Sequence, residues 1–224
     1  MKVIVTGATG LVGSALVRQC IANQAITHVF ILSRKPLPES TTSNPKVTLI
    51  IHNNFATYPS ALLDQLAGAE GCLWAIGGKV SDFNFDVDTC RKVSIDYTLA
   101  AARAFIAHLA PQLPEGRKFR FVFCSGKYAE WDQQKPLHFL ADTRRIKGQV
   151  EQQLCELADD SNNRFEVYCP RPSGIHPPDV GLATRLVGKM YAAIPSDHLA
   201  KAMVHMVLEG YDKRIIENDE LWKI

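Results

Sequence analysis

The first thirteen residues narrow the choice of fold more than any other stretch of the chain. Val3-Ile4-Val5-Thr6 is an apolar, largely β-branched run that leads directly into Gly7-Ala8-Thr9-Gly10-Leu11-Val12-Gly13. A glycine triplet alone is weak evidence, but between a buried strand and an amphipathic helix it has a physical purpose. Gly7 allows the tight turn, Gly10 lets the backbone approach a pyrophosphate, and Gly13 lets the helix pack against the strand. The helix start adds free N–H groups and a dipole that favours an anion. The segment therefore predicts a dinucleotide turn in which Gly7, Ala8, Thr9, Gly10, Leu11, Val12 and Gly13 lie against the ligand. No Lys-Ser/Thr follows the last glycine, which excludes a P-loop.

The rest of the chain alternates short β-branched runs with longer helical stretches, the pattern of a parallel sheet with helical crossovers. Strands are expected at Lys2–Thr6, His28–Ser33, Lys46–His52, Cys72–Ala75, Arg120–Cys124 and Glu166–Cys169. Helices are expected at Leu11–Asn23, Pro59–Gly68, Val87–Leu109, Leu140–Ala158, Ala183–Ala192 and Ser196–Gly210. This is an α/β, Rossmann-type, doubly wound parallel sheet. The 224 residues suit one such domain, with residues 171–224 contributing a short substrate side. No repeat or low-complexity segment interrupts it.

Composition removes other classes of function. A net charge of +2, with Lys and Arg spread along the chain, argues against nucleic acid or an acidic membrane as partner. The six cysteines include no C-x-x-C pair and several sit in apolar runs, so free thiols of a reducing compartment are expected and a metal site is not. No apolar stretch is long enough to span a membrane, and the start does not read as a signal peptide. The expectation is a cytoplasmic protein with a small-molecule substrate. The long helix at Val87–Leu109 leaves a homodimer open.

The end of the second strand chooses the cofactor. A chain that binds NAD usually carries an acid there, bonded to the ribose 2′-hydroxyl. Here the sequence is Ser33-Arg34-Lys35. Ser33 can donate to a 2′-phosphate, and Arg34 can pair with it while lying over the adenine. NADP(H) is the expected cofactor. Asn54 and Phe55 fall where an adenine-binding residue often lies, and Ala75-Ile76-Gly77 gives a small-residue floor beneath the nicotinamide ribose. Pro170 and Arg171 close the cofactor side at the end of the sixth strand. Arg171, Pro172, Ile175, Met190 and Tyr191 are candidate substrate walls.

With these residues in place, the chain resembles the atypical short-chain dehydrogenase/reductases. It looks most like the Tat-interacting-protein-like oxidoreductase branch, with NmrA-like proteins as neighbours. The residues that carry this are Thr6–Gly13, Asn54-Phe55, Asp96-Tyr97, Cys124-Ser125-Gly126-Lys127, Lys147-Gly148 with Glu151, and Arg171-Pro172-Ser173-Gly174. The resemblance implies that Ser125 orients a substrate carbonyl and that Lys147 holds the nicotinamide ribose. It also implies a tyrosine four residues before Lys147, which is where Thr143 stands. An aliphatic hydroxyl is a far weaker acid than a phenol, so the usual proton relay is missing. Tyr128, three residues after Ser125, is the substitute proposed from sequence; His138 is a second.

Three readings follow. The first is an NADPH-dependent oxidoreductase acting on a small carbonyl or enone, with catalytic Ser125, Lys147 and Tyr128. The second is an NADP(H)-binding regulatory or sensor protein without turnover. The third is a non-redox isomerase or lyase on the same scaffold.

Overall fold

The computed structural model describes residues 1–179 and 192–224. Its centre is a seven-stranded parallel sheet in the order β3-β2-β1-β4-β5-β6-β9. The strands are β1 Lys2–Thr6, β2 His28–Ser33, β3 Val47–Ile51, β4 Gly71–Trp74, β5 Phe119–Phe123, β6 Phe165–Arg171 and β9 Ile215–Glu217. A separate pair, β7 Ile175–His176 with β8 Ile194–Pro195, runs parallel as well. The helices are α1 Leu11–Ala22, α2 Glu39–Thr42, α3 Ser60–Gln65, α4 Val87–Arg91, α5 Tyr97–His108, α6 Ala141–Asp159, α7 Ser196–Glu209 and α8 Asn218–Leu221. This is the Rossmann-type α/β architecture.

Three layers result because alternate residues of each strand face opposite sides of the sheet. Val3, Val5, Val29, Ile31, Leu73 and Val122 pack with Leu16 of α1 and Met203 of α7. Ile4, Leu32, Trp74, Phe121 and Phe123 pack with Leu63 of α3, Phe105 of α5 and Ile146 and Val150 of α6. The small residues of α5 have a clear purpose: Ala101 and Ala102 are fully buried, so the helix lies close on the sheet.

Six strands fall where the sequence puts them, within a residue or two at most ends. The helix expected over Val87–Leu109 is interrupted by a π-helical turn at Lys92–Asp96. The strand at Ile215–Glu217 and the β7–β8 pair are additional; each is too short to show alternation. Of the helix expected over Ala183–Ala192, residues 183–191, with Met190 and Tyr191, lie outside the described residues.

The sheet order positions the site. Successive strands run outward from β1 to β3, and the chain then returns to the other side of β1 with β4. Crossovers on either side of that point leave a crevice at the carboxyl ends of the strands, where open α/β sheets bind ligands.

Candidate active site

The crevice holds a cavity of about 580 Å³, a size typical of small-molecule sites. Its walls come from Gly10–Gly13, Ala75–Lys79 with Asp82, Cys124–Ala129, Phe139–Leu140, Thr143–Arg144 with Lys147, and Pro172–Ile175. Gly10–Gly13, Ala75–Gly77, Ser125, Tyr128 and Lys147, expected in one site on sequence grounds, thus share one space, and Lys79, Asp82, Phe139, Leu140 and Arg144 join them.

The glycine turn is tightly built at two of its three glycines. Gly7 has φ +68, and a Cβ there would lie 2.4 Å from the Ala75 carbonyl oxygen. A Cβ on Gly13 would lie 2.0 Å from the Gly7 carbonyl oxygen, so α1 sits directly on the turn. Gly10 differs: a Cβ would meet only the Gly7 oxygen, at 3.3 Å, and the residue is exposed on the cavity wall. Internal packing therefore does not account for its bareness as it does for Gly7 and Gly13. Gly10 also caps α1 without any side-chain bond, and the first turn carries no acid. The N-terminal amides are left for an anion. Within the turn, Ala8 is buried and Thr9 is exposed.

The loop after β2 carries two basic residues. Arg34 and Lys35 are exposed, and neither forms an ion pair among the described residues. The Ser33 hydroxyl is turned inward, donating to the Lys35 carbonyl at 2.7 Å and accepting from the Lys35 amide at 3.1 Å. Asn54 is exposed and accepts from the Ala56 amide. Phe55 is a core residue, 3% exposed, in edge contact with His52 and Trp74 and tilted against Tyr97. Its ring is therefore not available to an adenine.

Lys147 reaches the middle of the cavity from α6. Its ammonium donates to the Cys124 carbonyl at 3.0 Å, lies 4.8 Å from the Phe123 ring centroid, and sits beside Gly77. Burial lowers its pKa, with partial opposition from Cys124, Cys90 and Glu151. It is thus a more willing acid than an ordinary lysine.

Two hydroxyls beside Lys147 already have partners. Thr143 is buried, and its hydroxyl accepts a 3.0 Å bond from the Val80 amide. That bond fastens the segment after Gly77–Gly78 to α6. Ser125 is buried as well, and its hydroxyl donates to Glu151 at 2.6 Å. Its proton is thus engaged by Glu151.

Glu151 is the residue that sequence reading undervalued. It is fully buried on α6 and accepts from Ser125, from the Trp131 indole at 2.8 Å, and from Arg171 through Nε at 2.9 Å and Nη2 at 2.5 Å. Arg171 also donates to Glu217 of β9 at 2.8 Å. Burial opposes the Arg171 charge, yet the bonds to Glu151 and then Glu217 hold its pKa above the ordinary value. Arg171 therefore joins α6 to β6 and β9 and does not line the cavity; neither does Pro170. The signal for Glu151 was its place between the apolar positions Val150 and Leu154.

The loop from Cys124 to Trp131 is clamped in two directions. The Ser125 amide donates to the Pro170 carbonyl, and the Lys127 amide donates to the Pro172 carbonyl. Gly148 of α6 has the Glu130 carbonyl where a Cβ would be, at 1.9 Å. The loop backbone rests on the helix there, which sets Tyr128 at the cavity mouth. His138 is exposed and is not among the lining residues.

Among the described residues, no group of three His, Cys, Asp or Glu side chains could hold a metal, and no helix is long and apolar enough to cross a membrane. All six cysteines are unpaired.

The fold and cleft together define a Rossmann-type α/β scaffold, and comparisons with known proteins bear on what kind. No protein-family model matches the chain. It is 29% identical over 177 residues to "Leucinostatins biosynthesis cluster protein T" of Purpureocillium lilacinum, a match that covers 75% of this chain and 56% of that one. The chain thus spans little more than half the length of this relative. Similar solved structures include a short-chain dehydrogenase/reductase of Saccharomyces cerevisiae, with TM-score 0.72 and 11% identity over 97% of this chain and 96% of that one. An oxidoreductase of the short-chain dehydrogenase/reductase family from Burkholderia thailandensis has TM-score 0.71 and 14% identity, covering 100% and 93%. The dTDP-glucose 4,6-dehydratase DesIV of Streptomyces venezuelae, with NAD bound, has TM-score 0.69 and 14% identity, covering 97% and 75%.

Proposed function

We propose that this chain binds NADP(H) and is an NADPH-dependent oxidoreductase of the atypical short-chain dehydrogenase/reductase kind, acting on a small carbonyl or enone. The observation that carries the reading is the meeting of a bare Gly10, an uncapped α1 and a half-buried Lys147 in one cavity. The adenosine phosphate is assigned to Arg34 and Lys35, with Ser33 exchanging its internal bond to reach it. Asn54 flanks the adenine, and Ala75, Ile76 and Gly77 form the floor beneath the ribose. The branch that the sequence resembles is the best placement within the group.

When bound, NADPH supplies a hydride, two electrons and one hydrogen nucleus, to the carbonyl or β-carbon, and one proton completes the product. The residues of the chain handle the rest. Lys147 holds the ribose and keeps a positive charge close to the developing anion, the kind of preorganised electrostatic help that lowers a barrier. Tyr128 is the phenol of the cavity wall, and its hydroxyl makes no hydrogen bond among the described residues; it takes the proton-donor role. Ser125 shapes the floor through Glu151.

One observation favours the second reading, a binding protein without turnover: Ser125 and Thr143 both use their hydroxyls internally. Following NADPH absorbance with a panel of aldehydes, quinones and enones separates the two. Turnover that is lost in Lys147→Ala and Tyr128→Phe is the expected result. Tight NADPH binding with no turnover across the panel would leave the regulatory reading in its place.

A further inference from the structure

The charge of the cavity is uneven in a way that the cofactor does not use up. Four cationic side chains line it, Lys79, Lys127, Arg144 and Lys147, against one acid, Asp82. None of the four forms an ion pair among the described residues. Asp82 is engaged by the Lys79 amide at 2.8 Å. Glu130, whose carboxyl feels Arg144, is paired with Lys135 at 2.7 Å. A dinucleotide diphosphate belongs at the start of α1, on the wall formed by Gly10–Gly13. Lys127 and Arg144 belong to a different wall, made by the loop after β5 and the first turn of α6.

That wall also carries aromatic surface. Tyr128 and Phe139 are both exposed, with centroids 5.7 Å apart and ring planes at 88°. Lys127 lies 5.0 Å from the Tyr128 centroid, and the Arg144 guanidinium lies 4.7 Å from the Phe139 centroid and 5.7 Å from that of Tyr128. Arg144 Nε donates to the Tyr128 carbonyl at 2.9 Å, and its two terminal amines make no hydrogen bond among the described residues. The guanidinium is thus oriented by one bond and two rings, with the donors that match a carboxylate unengaged. Tyr128 and Leu140, at either end of this wall, hold positive φ of 66 and 46. A left-handed backbone at non-glycine residues persists only where the surroundings enforce it, and it clusters at ligand sites.

Building on the oxidoreductase reading, we propose that the substrate is a planar aromatic or conjugated carbonyl compound bearing a carboxylate. Its plane packs on Phe139 and Tyr128, and its carboxylate is taken by Arg144 with Lys127. The pairing of exposed rings with cations that have no acid partner selects for a ligand both flat and negative. A neutral aldehyde leaves the guanidinium unanswered, and an aliphatic acid leaves the rings bare.

The test is a matched pair of probes, 4-formylbenzoate and benzaldehyde, titrated by calorimetry into the full chain with and without saturating NADP. The expected result is at least tenfold tighter binding of the acid to the NADP-loaded protein, falling below threefold in Arg144→Ala. Because Arg144 also supports the loop, Lys127→Ala provides a second variant; among the described residues its side chain lies over the Tyr128 ring and forms no ion pair, and it too should narrow the gap. Phe139→Ala should weaken both probes alike. Equal binding of acid and aldehyde, no binding of either, or a preference untouched by both cation variants would overturn the proposal. The cofactor arm keeps the two claims apart. Acid preference without any NADP binding would sink the oxidoreductase reading alone, and NADP binding without acid preference would sink this one alone.

Discussion

The Ser125 hydroxyl donates a 2.6 Å hydrogen bond to the carboxylate of Glu151, which is fully buried and also held by Arg171. The family resemblance gives Ser125 to the substrate, whereas this geometry gives its proton to an internal network. The network runs from the cavity floor through α6 to β6 and β9, and it explains why a charged pair lies at the edge of the core. Such a pair is costly to break, because Glu151 left alone is a buried charge without a cation, while Arg171 keeps only the half-exposed Glu217.

Ser125→Ala should therefore act on stability more than on ligand binding. A hydrogen bond to a buried charged group contributes about 1.5–3 kcal/mol, and Ser125→Ala is expected to lose an amount in that range by urea unfolding. NADPH affinity should stay within about twofold, a change of less than about 0.5 kcal/mol. A variant with unchanged unfolding midpoint but abolished turnover would return Ser125 to the substrate.

Lys147 predicts a specific pH dependence. Burial lowers its folded-state pKa beneath the ordinary 10.5. Between the lowered value and 10.5 the unfolded chain holds the proton and the folded chain has released it, so stability rises with pH across that window. In Lys147→Met that rise should be absent, and the neutral-pH stability should equal or exceed that of the parent while turnover is lost. Urea midpoints measured over a pH series check this, and parallel curves for the two proteins would contradict it.

How much of this was legible beforehand depended on the physical character of each signal. Val3–Gly13 was readable because backbone sterics and burial both demand those residue types in that order. Arg34 and Lys35 were readable as charges, but the inward turn of the Ser33 hydroxyl was not, since a loop's own hydrogen bonds leave no mark on spacing. Phe55 shows the opposite error: a residue expected against adenine is enclosed by His52, Trp74 and Tyr97. Arg171 was expected in the site and instead pairs with Glu151, because a buried acid on an amphipathic helix looks in sequence like one on its solvent face. The strand at Ile215–Glu217 was too short to announce itself.

Gly10 and Gly13 should respond differently to the same substitution. A Cβ at position 13 falls 2.0 Å from a carbonyl oxygen, so Gly13→Ala is expected to destabilise the chain by about 3 kcal/mol, the upper part of the range for overpacking. At position 10 the nearest atom is 3.3 Å away and the backbone is extended at φ −92, so Gly10→Ala should fold within about 1 kcal/mol of the parent. It should nonetheless bind NADPH at least about tenfold more weakly, because its methyl occupies the approach to the pyrophosphate. Thermal unfolding and NADPH titration of both variants separate packing from ligand contact. Normal NADPH affinity in a folded Gly10→Ala protein would remove the turn from the binding site.

The claim beneath all of these is that a phosphorylated dinucleotide occupies the cleft with its 2′-phosphate at Arg34 and Lys35. Calorimetric titration of the cofactor-free chain with NADPH and with NADH, repeated on Arg34→Ala, tests it most directly. The account predicts that NADPH binds at least about tenfold more tightly than NADH and that Arg34→Ala removes most of that difference. No heat with NADPH, or a preference for NADH, would contradict it.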